Sequence, residues 1–79
     1  MNVLILNPKK ELYKGTAHLL SLIGRDGSFQ ILKNHAPMIS LLSKGIIKVY
    51  LNEDKKELLE FSIEKGILEV NQNKVTILL

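Results

Sequence analysis

Apolar residues in this chain come only in short runs, each stopped by glycine, proline, asparagine or a charge cluster before a helix of ordinary length could form. Asn2 to Leu6 halts at Asn7-Pro8, and Glu11 to Gly15 forms a second extended piece. Ala17 to Ile23 breaks at Gly24-Arg25-Asp26-Gly27, and Ser28 to Leu32 ends in Lys33-Asn34-His35-Ala36-Pro37. Met38 to Leu42 runs to Ser43-Lys44-Gly45, and Ile46 to Leu51 runs to the mixed-charge turn Asn52 to Glu57. Leu58 to Ile63, Ile67 to Val70 and Val75 to Leu78 follow, separated by Gly66 and Asn71-Gln72-Asn73. Several runs alternate with period two. Leu59, Phe61 and Ile63 interleave with Leu58, Glu60, Ser62 and Glu64, while Ile47, Val49 and Leu51 interleave with Ile46, Lys48 and Tyr50, as half-buried strands require. Helical spacing can be drawn from Ser40 to Lys48, but Gly45 and the β-branched residues oppose it. Closely spaced short strands predict one all-β domain over residues 1–79, an antiparallel sandwich or flattened barrel.

A fold of 79 residues buries a modest share of its surface, and small domains often rely on a staple. This chain has no cysteine for a disulfide, and its two histidines do not make a structural zinc site. Aliphatic packing must supply the stability. Leu, Ile and Val make up 28 of the 79 residues, more than so small a fold can enclose, which implies a permanent partner over an exposed apolar patch. The start, Met1 to Leu6, is too short for a secretory leader and lacks a basic region. No apolar run approaches the roughly 20 residues that span a bilayer, so contact with a membrane is expected only through a partner.

The net charge is +3, but the charges are dispersed and mixed in sign. Arg25 is the sole arginine, and Tyr13, Phe29, Tyr50 and Phe61 are scattered, so a basic, aromatic-studded nucleic-acid surface is not expected. Catalysis has no visible basis either. Gly15, Gly24, Gly27, Gly45 and Gly66 form neither a phosphate-binding loop nor a dinucleotide fingerprint, and no serine is marked as the partner of His18 or His35. The acidic residues are spread over separate segments, as on a solvated face. No cofactor or metal is expected. His35, in Asn34-His35-Ala36-Pro37, has two readings: an imidazole that satisfies a nearby backbone group in a turn, or a contact at a subunit interface. His18 reads as a surface or edge residue.

The segment Gly27-Ser28-Phe29-Gln30-Ile31-Leu32-Lys33-Asn34-His35-Ala36-Pro37-Met38-Ile39 resembles the "GxxGILPxHAPL" signature of the epsilon subunits of bacterial F-type ATP synthases. Gly45 to Val49 is similar to that family's "G-x-I-x-V/I" strand. Gly66-Ile67-Leu68-Glu69-Val70 with Val75-Thr76-Ile77-Leu78 is similar to its "GGFLEV…NxVTVLA" ending, and Glu11 to Gly15 to its "E-x-x-x-F-x-G" opening. The likeness covers essentially the whole chain. Gln30, Lys33 and Lys65 depart from the usual Gly, Pro and Gly, which suggests slightly different turns. Ser28 stands where some members carry an acidic residue facing the membrane ring. Members typically continue into a two-helix C-terminal domain, whereas this sequence stops at Leu79.

The resemblance implies a flattened β-sandwich of about ten short strands, with no C-terminal helical hairpin. It also implies a non-catalytic place in the rotating central stalk of a proton-translocating ATP synthase, between the gamma subunit and the c-ring, at the cytoplasmic face of a bacterial inner membrane. By motif match the gamma-facing residues are Asn7, His35, Ser40 and Ile46, and the ring-facing loop is Asp26, Gly27, Ser28 and Phe29. The rival class is a free-standing sandwich that binds a small ligand or a peptide edge strand, which a concave apolar pocket in a self-contained monomer would favour.

Overall fold

The computed structural model describes residues 1–79 and contains strands and turns but no helix. Nine strands follow one another: β1 (Asn2–Leu6), β2 (Glu11–Thr16), β3 (Leu19–Gly24), β4 (Gly27–Leu32), β5 (Met38–Leu42), β6 (Gly45–Tyr50), β7 (Leu58–Ile63), β8 (Gly66–Asn71) and β9 (Lys74–Leu78). Nine strands agree with the expectation of about ten. They coincide with the nine runs in the sequence, shifted by a residue or two at some ends.

The hydrogen-bonded path runs β2-β1-β9-β8-β5-β3-β6-β7, with β4 on the remaining side of β3. This single sheet curls into two layers. The first layer is β2-β1-β9-β8-β5 and the second is β4-β3-β6-β7. They join at one corner, where Gly24 pairs with Leu42 and the Ser43 N–H donates to the Ile23 carbonyl at 2.9 Å. Beyond this corner β3 leaves β5 and pairs with β6 through Leu19, Leu20 and Ser21. On the opposite side the layers close through Tyr13 of β2 and Phe61 of β7, whose ring centroids are 6.3 Å apart. The extents are 28 × 24 × 21 Å.

Period two places the core. In β8, Gly66, Leu68 and Val70 are buried while Ile67, Glu69 and Asn71 are exposed. Fourteen buried residues from both layers form one cluster, including Val3, Ile5, Leu68 and Ile77 from the first and Leu20, Leu22, Ile31 and Ile47 from the second. No polar or charged residue is buried. The interior is therefore aliphatic throughout, as the composition requires.

The pairings are antiparallel with one exception, β1 with β9, which run parallel in the register Asn2↔Lys74 to Leu6↔Leu78. Local alternation could not reveal this pair, because its members lie at opposite ends of the sequence. The hairpin that carries β9 back beside β8 turns at Gln72 (φ 49) and Asn73 (φ 60), which both adopt the left-handed conformation of a tight two-residue turn.

Candidate functional site

Strand register sets two ends on the molecule. At one end lie Asn7 after β1, the Arg25–Asp26 turn, Ser43–Lys44 and Glu64–Lys65, since Leu6 pairs with Leu78, Leu78 with Ile67, Leu42 with Gly66 and Gly24 with Leu42. At the other end lie the loop Lys33–Pro37, the charged loop Asn52–Glu57 and the turn Gln72–Asn73. The Asn34 N–H donates to Asn73 Oδ1 at 3.1 Å, which ties two of these together.

The four residues matched to a gamma contact do not gather in one patch. Asn7 sits at the first end, and its side-chain oxygen accepts from the Lys9 and Lys10 N–H groups at 2.8 Å each, so it builds its own turn. His35 sits at the far end, exposed, with Nδ1–H donating to the Ala36 carbonyl at 2.8 Å. That is the backbone-satisfying arrangement read from Asn34 to Pro37, and it leaves Nε2 unengaged. Ser40 lies on β5 opposite Leu68, half-buried and facing inward. Ile46 lies on β6 in the second layer and is exposed. His18 precedes β3, half-buried, and its N–H donates to the Tyr50 carbonyl.

Asp26, Gly27, Ser28 and Phe29 do stay together, as the tip and first residues of the β3–β4 hairpin. Asp26, Gly27 and Ser28 are exposed, and the Phe29 ring packs partly on the core. Gly27 has φ 118, a conformation that other residues resist, so glycine is required for the chain to turn into β4 here.

One feature of the surface was not singled out from the sequence. Leu6, Leu78, Ile67 and Leu41 are neighbours in one row across β1, β9, β8 and β5 on the outer face of the first layer. Leu41 is 71% exposed, Ile67 44% and Leu78 48%, and Ile39, one step along β5, is 73% exposed. A shallow depression of about 440 Å³ lies at the end of this row, lined by Leu41, Leu42, Ile67, Leu78 and Leu79 with Lys65 at its rim. The signal was present in Met38-Ile39-Ser40-Leu41-Leu42, where both alternating sets carry aliphatic residues. A strand with one wet face normally keeps the outward set polar. Further down the same face a second depression of about 450 Å³ mixes Asn2, Lys14, Thr16, Lys74 and Thr76 with Val3, Leu4 and Val75.

No three His, Asp or Glu side chains converge as metal ligands would. No helix is long and apolar enough to cross a membrane. What the surface offers is a broad apolar face suited to another protein.

The whole chain, residues 1–79, matches the family model described as ATP synthase, Delta/Epsilon chain, beta-sandwich domain. It is 40% identical over 78 residues to an ATP synthase epsilon chain of Leptospira borgpetersenii, covering 99% of this chain and 59% of the relative. It is 34% identical over 77 residues to that of Rickettsia bellii, covering 98% of this chain and 71% of the relative. The chain thus spans about three fifths of the length of the Leptospira relative. In fold it is similar to a chain in the central stalk and c-ring structure of the Tetrahymena thermophila mitochondrial ATP synthase, with TM-score 0.79, 21% identity and coverage of 98% of this chain and 60% of that one. A chain of the Euglena gracilis mitochondrial ATP synthase gives TM-score 0.85 at 18% identity, covering 96% of this chain and 48% of that one.

Proposed function

Because the chain belongs to the family of ATP synthase delta/epsilon-chain β-sandwich domains, we propose that it serves as a structural, non-catalytic part of the central stalk of a proton-translocating F-type ATP synthase. In this reading it links the gamma subunit to the c-ring and helps to couple proton movement to ATP synthesis. The observation that carries the proposal is the apolar row Leu6, Leu78, Ile67 and Leu41 with Ile39 beside it. Aliphatic side chains left this open on a small domain imply permanent cover, because a free monomer would pay for them in aggregation.

The gamma footprint centres on that row. It takes in Asn7 at one end of the face and reaches toward Ser40 and His35 along β5. Ile46 is exposed on the other layer, off this row. The hairpin tip Asp26–Phe29 projects from the end of the molecule and is the part that meets the c-ring. Ser28 offers the ring a hydroxyl and no charge, so any ionic part of that contact comes from Asp26 and Arg25 at the tip. The protein is peripheral, at the cytoplasmic face of a bacterial inner membrane, and touches the membrane only through the ring.

The test is co-expression with the gamma and c subunits of a bacterial ATP synthase, followed by detergent extraction and purification through a tag on this chain. Gamma and the ring are expected to co-purify in stoichiometric amount. Recovery of this chain alone, under conditions in which gamma and the ring stay together, would overturn the proposal.

A further inference from the structure

One strand of the apolar face is unfinished. β5 pairs with β8 from Met38 to Leu42, but on its other side only Leu42 has a partner, Gly24. Alternate backbone groups of Met38 to Leu41 therefore point away from β8 with no strand to receive them, and none of the hydrogen bonds in turns and loops uses these residues. The Ser40 hydroxyl turns back onto the adjacent Leu41 carbonyl at 3.2 Å. We propose that this edge accepts an extended segment of a partner polypeptide as an added strand of the first layer.

Side-chain exposure singles out this edge. Ile67 and Leu78 stand in the same row as Leu41 but have strands on both sides, and they are 44% and 48% exposed. Ile39 and Leu41, with one flank missing, reach 73% and 71%. A strand laid beside β5 would place its outward side chains against both residues and bring them to the level of their neighbours. Edge strands of soluble proteins are usually blunted by charge. The edge strands β2 and β7 carry Glu11, Lys14 and Glu60, whereas β5 carries none. The edge of β4 is uncharged too, but its one large exposed aliphatic residue is Leu32.

Part of the space an added strand needs is already open. A depression of about 250 Å³ lies between Met38 and Ser40 on one side and the hairpin Gly24 to Phe29 on the other. Its ends are fixed by Pro37, which has no N–H to offer, and by the Gly24–Leu42 pair, so the paired stretch is short. The charges framing it are Arg25 and Lys33 against Asp26 and Glu69, the last paired with Ile39 on the outer face, while Lys44 faces Glu64 at 3.9 Å. The segment that fits is extended and aliphatic at its outward positions, with an acidic end toward Lys33. A second copy of this chain fits poorly, because its own β5 carries no acidic residue to meet Lys33. This recognition mode is strand addition, in which main-chain hydrogen bonds give affinity and alternate side chains give selectivity.

The edge shares Ile39 and Leu41 with the proposed gamma-binding face, but it is tested through backbone pairing with short peptides in the absence of gamma, so its failure leaves that reading standing. The experiment titrates the isotope-labelled full chain with a panel of acetylated, amidated hexapeptides. Their outward positions are Val or Ile, their inward positions are Thr or Ser, and one end carries Glu or Lys. Binding by at least one Glu-ended member is expected, with amide shifts and new hydrogen-exchange protection confined to Met38–Leu42 and the facing hairpin. N-methylation of the peptide's pairing amides should lower affinity at least tenfold, and replacing Glu by Lys should weaken it. Ile39→Lys should abolish binding while leaving the spectrum folded. The proposal is overturned if no panel member binds at millimolar concentration, if the shifts map to β2, β4 or β7, if N-methylation has no effect, or if the chain pairs with itself through β5.

Discussion

The two layers of this sandwich have like interiors and unlike exteriors. Inside, both present tightly packed Leu, Ile and Val, and residues such as Leu20 and Leu68 are fully buried on opposite sides of one core. Outside, the first layer carries the unbroken row Leu6, Leu78, Ile67 and Leu41. The second layer carries Gln30, Ser21, Lys48 and Glu60 across its middle, with exposed aliphatic residues toward its ends, at Leu32, Leu58, Leu59 and Ile46. Since both layers use the same period-two strands, folding does not demand this difference. The inner positions hold the domain together and the outer positions determine what it meets.

The largest effects are expected where the layers are alike. Leu20→Ala and Leu68→Ala each remove a fully buried side chain, and each should cost about 2–5 kcal/mol in urea unfolding. A domain this small has stability of the same order, so either variant should be largely unfolded at physiological temperature. A clear loss from one and none from the other would mean that only one layer holds the core.

Next comes the outer face, where the layers should part. Ile67→Asp places a charge in the middle of the apolar row and should lower gamma affinity at least tenfold, or about 1.4 kcal/mol, as measured by titration calorimetry. The unfolding midpoint of the isolated chain should stay within the range usual for surface changes. Unchanged gamma binding would remove this face from the interface.

A smaller loss is expected for Ile46→Asp on the second layer, measured in the same titration. Equal losses from Ile67→Asp and Ile46→Asp would show that the partner wraps both layers, and the contrast drawn between them would fail. The smallest effect belongs to the ion pair Lys44–Glu64, whose side chains are 79% and 83% exposed at a separation of 3.9 Å. Glu64→Gln should leave both stability and gamma binding unchanged, because solvent screens such pairs. A measurable loss of binding would place Glu64 in the contact.

Most of the strands were legible because alternation is a local property. Gly66 to Asn71 alternates buried and exposed without exception, and turn residues mark where each run stops. The turn role of Asn7 was also legible, and the backbone bond of His35 was one of the two readings its neighbours allowed, since both depend on residues one to three positions away. The candidate face was not. Its residues come from β1, β5, β8 and β9, and no sequence spacing relates Leu6 to Ile67. Matching residues to a family pattern one at a time likewise could not show that Asn7 and His35 lie at opposite ends, or that Ser40 faces inward.

By itself, then, the sequence determined an all-β domain with an aliphatic core, no disulfide, and more apolar side chains than that core can hold. These follow from composition and from the two-residue repeat of an extended chain. Tertiary structure alone decided the parallel pairing of β1 with β9, the corner at Gly24 and Leu42, and the gathering of the surplus aliphatic residues into one row beside an unfinished edge. The physical reason is that strand register acts across the chain. A hydrogen-bonded ladder brings residues dozens of positions apart to within one strand spacing, and which ladders form depends on how both layers close over a shared core.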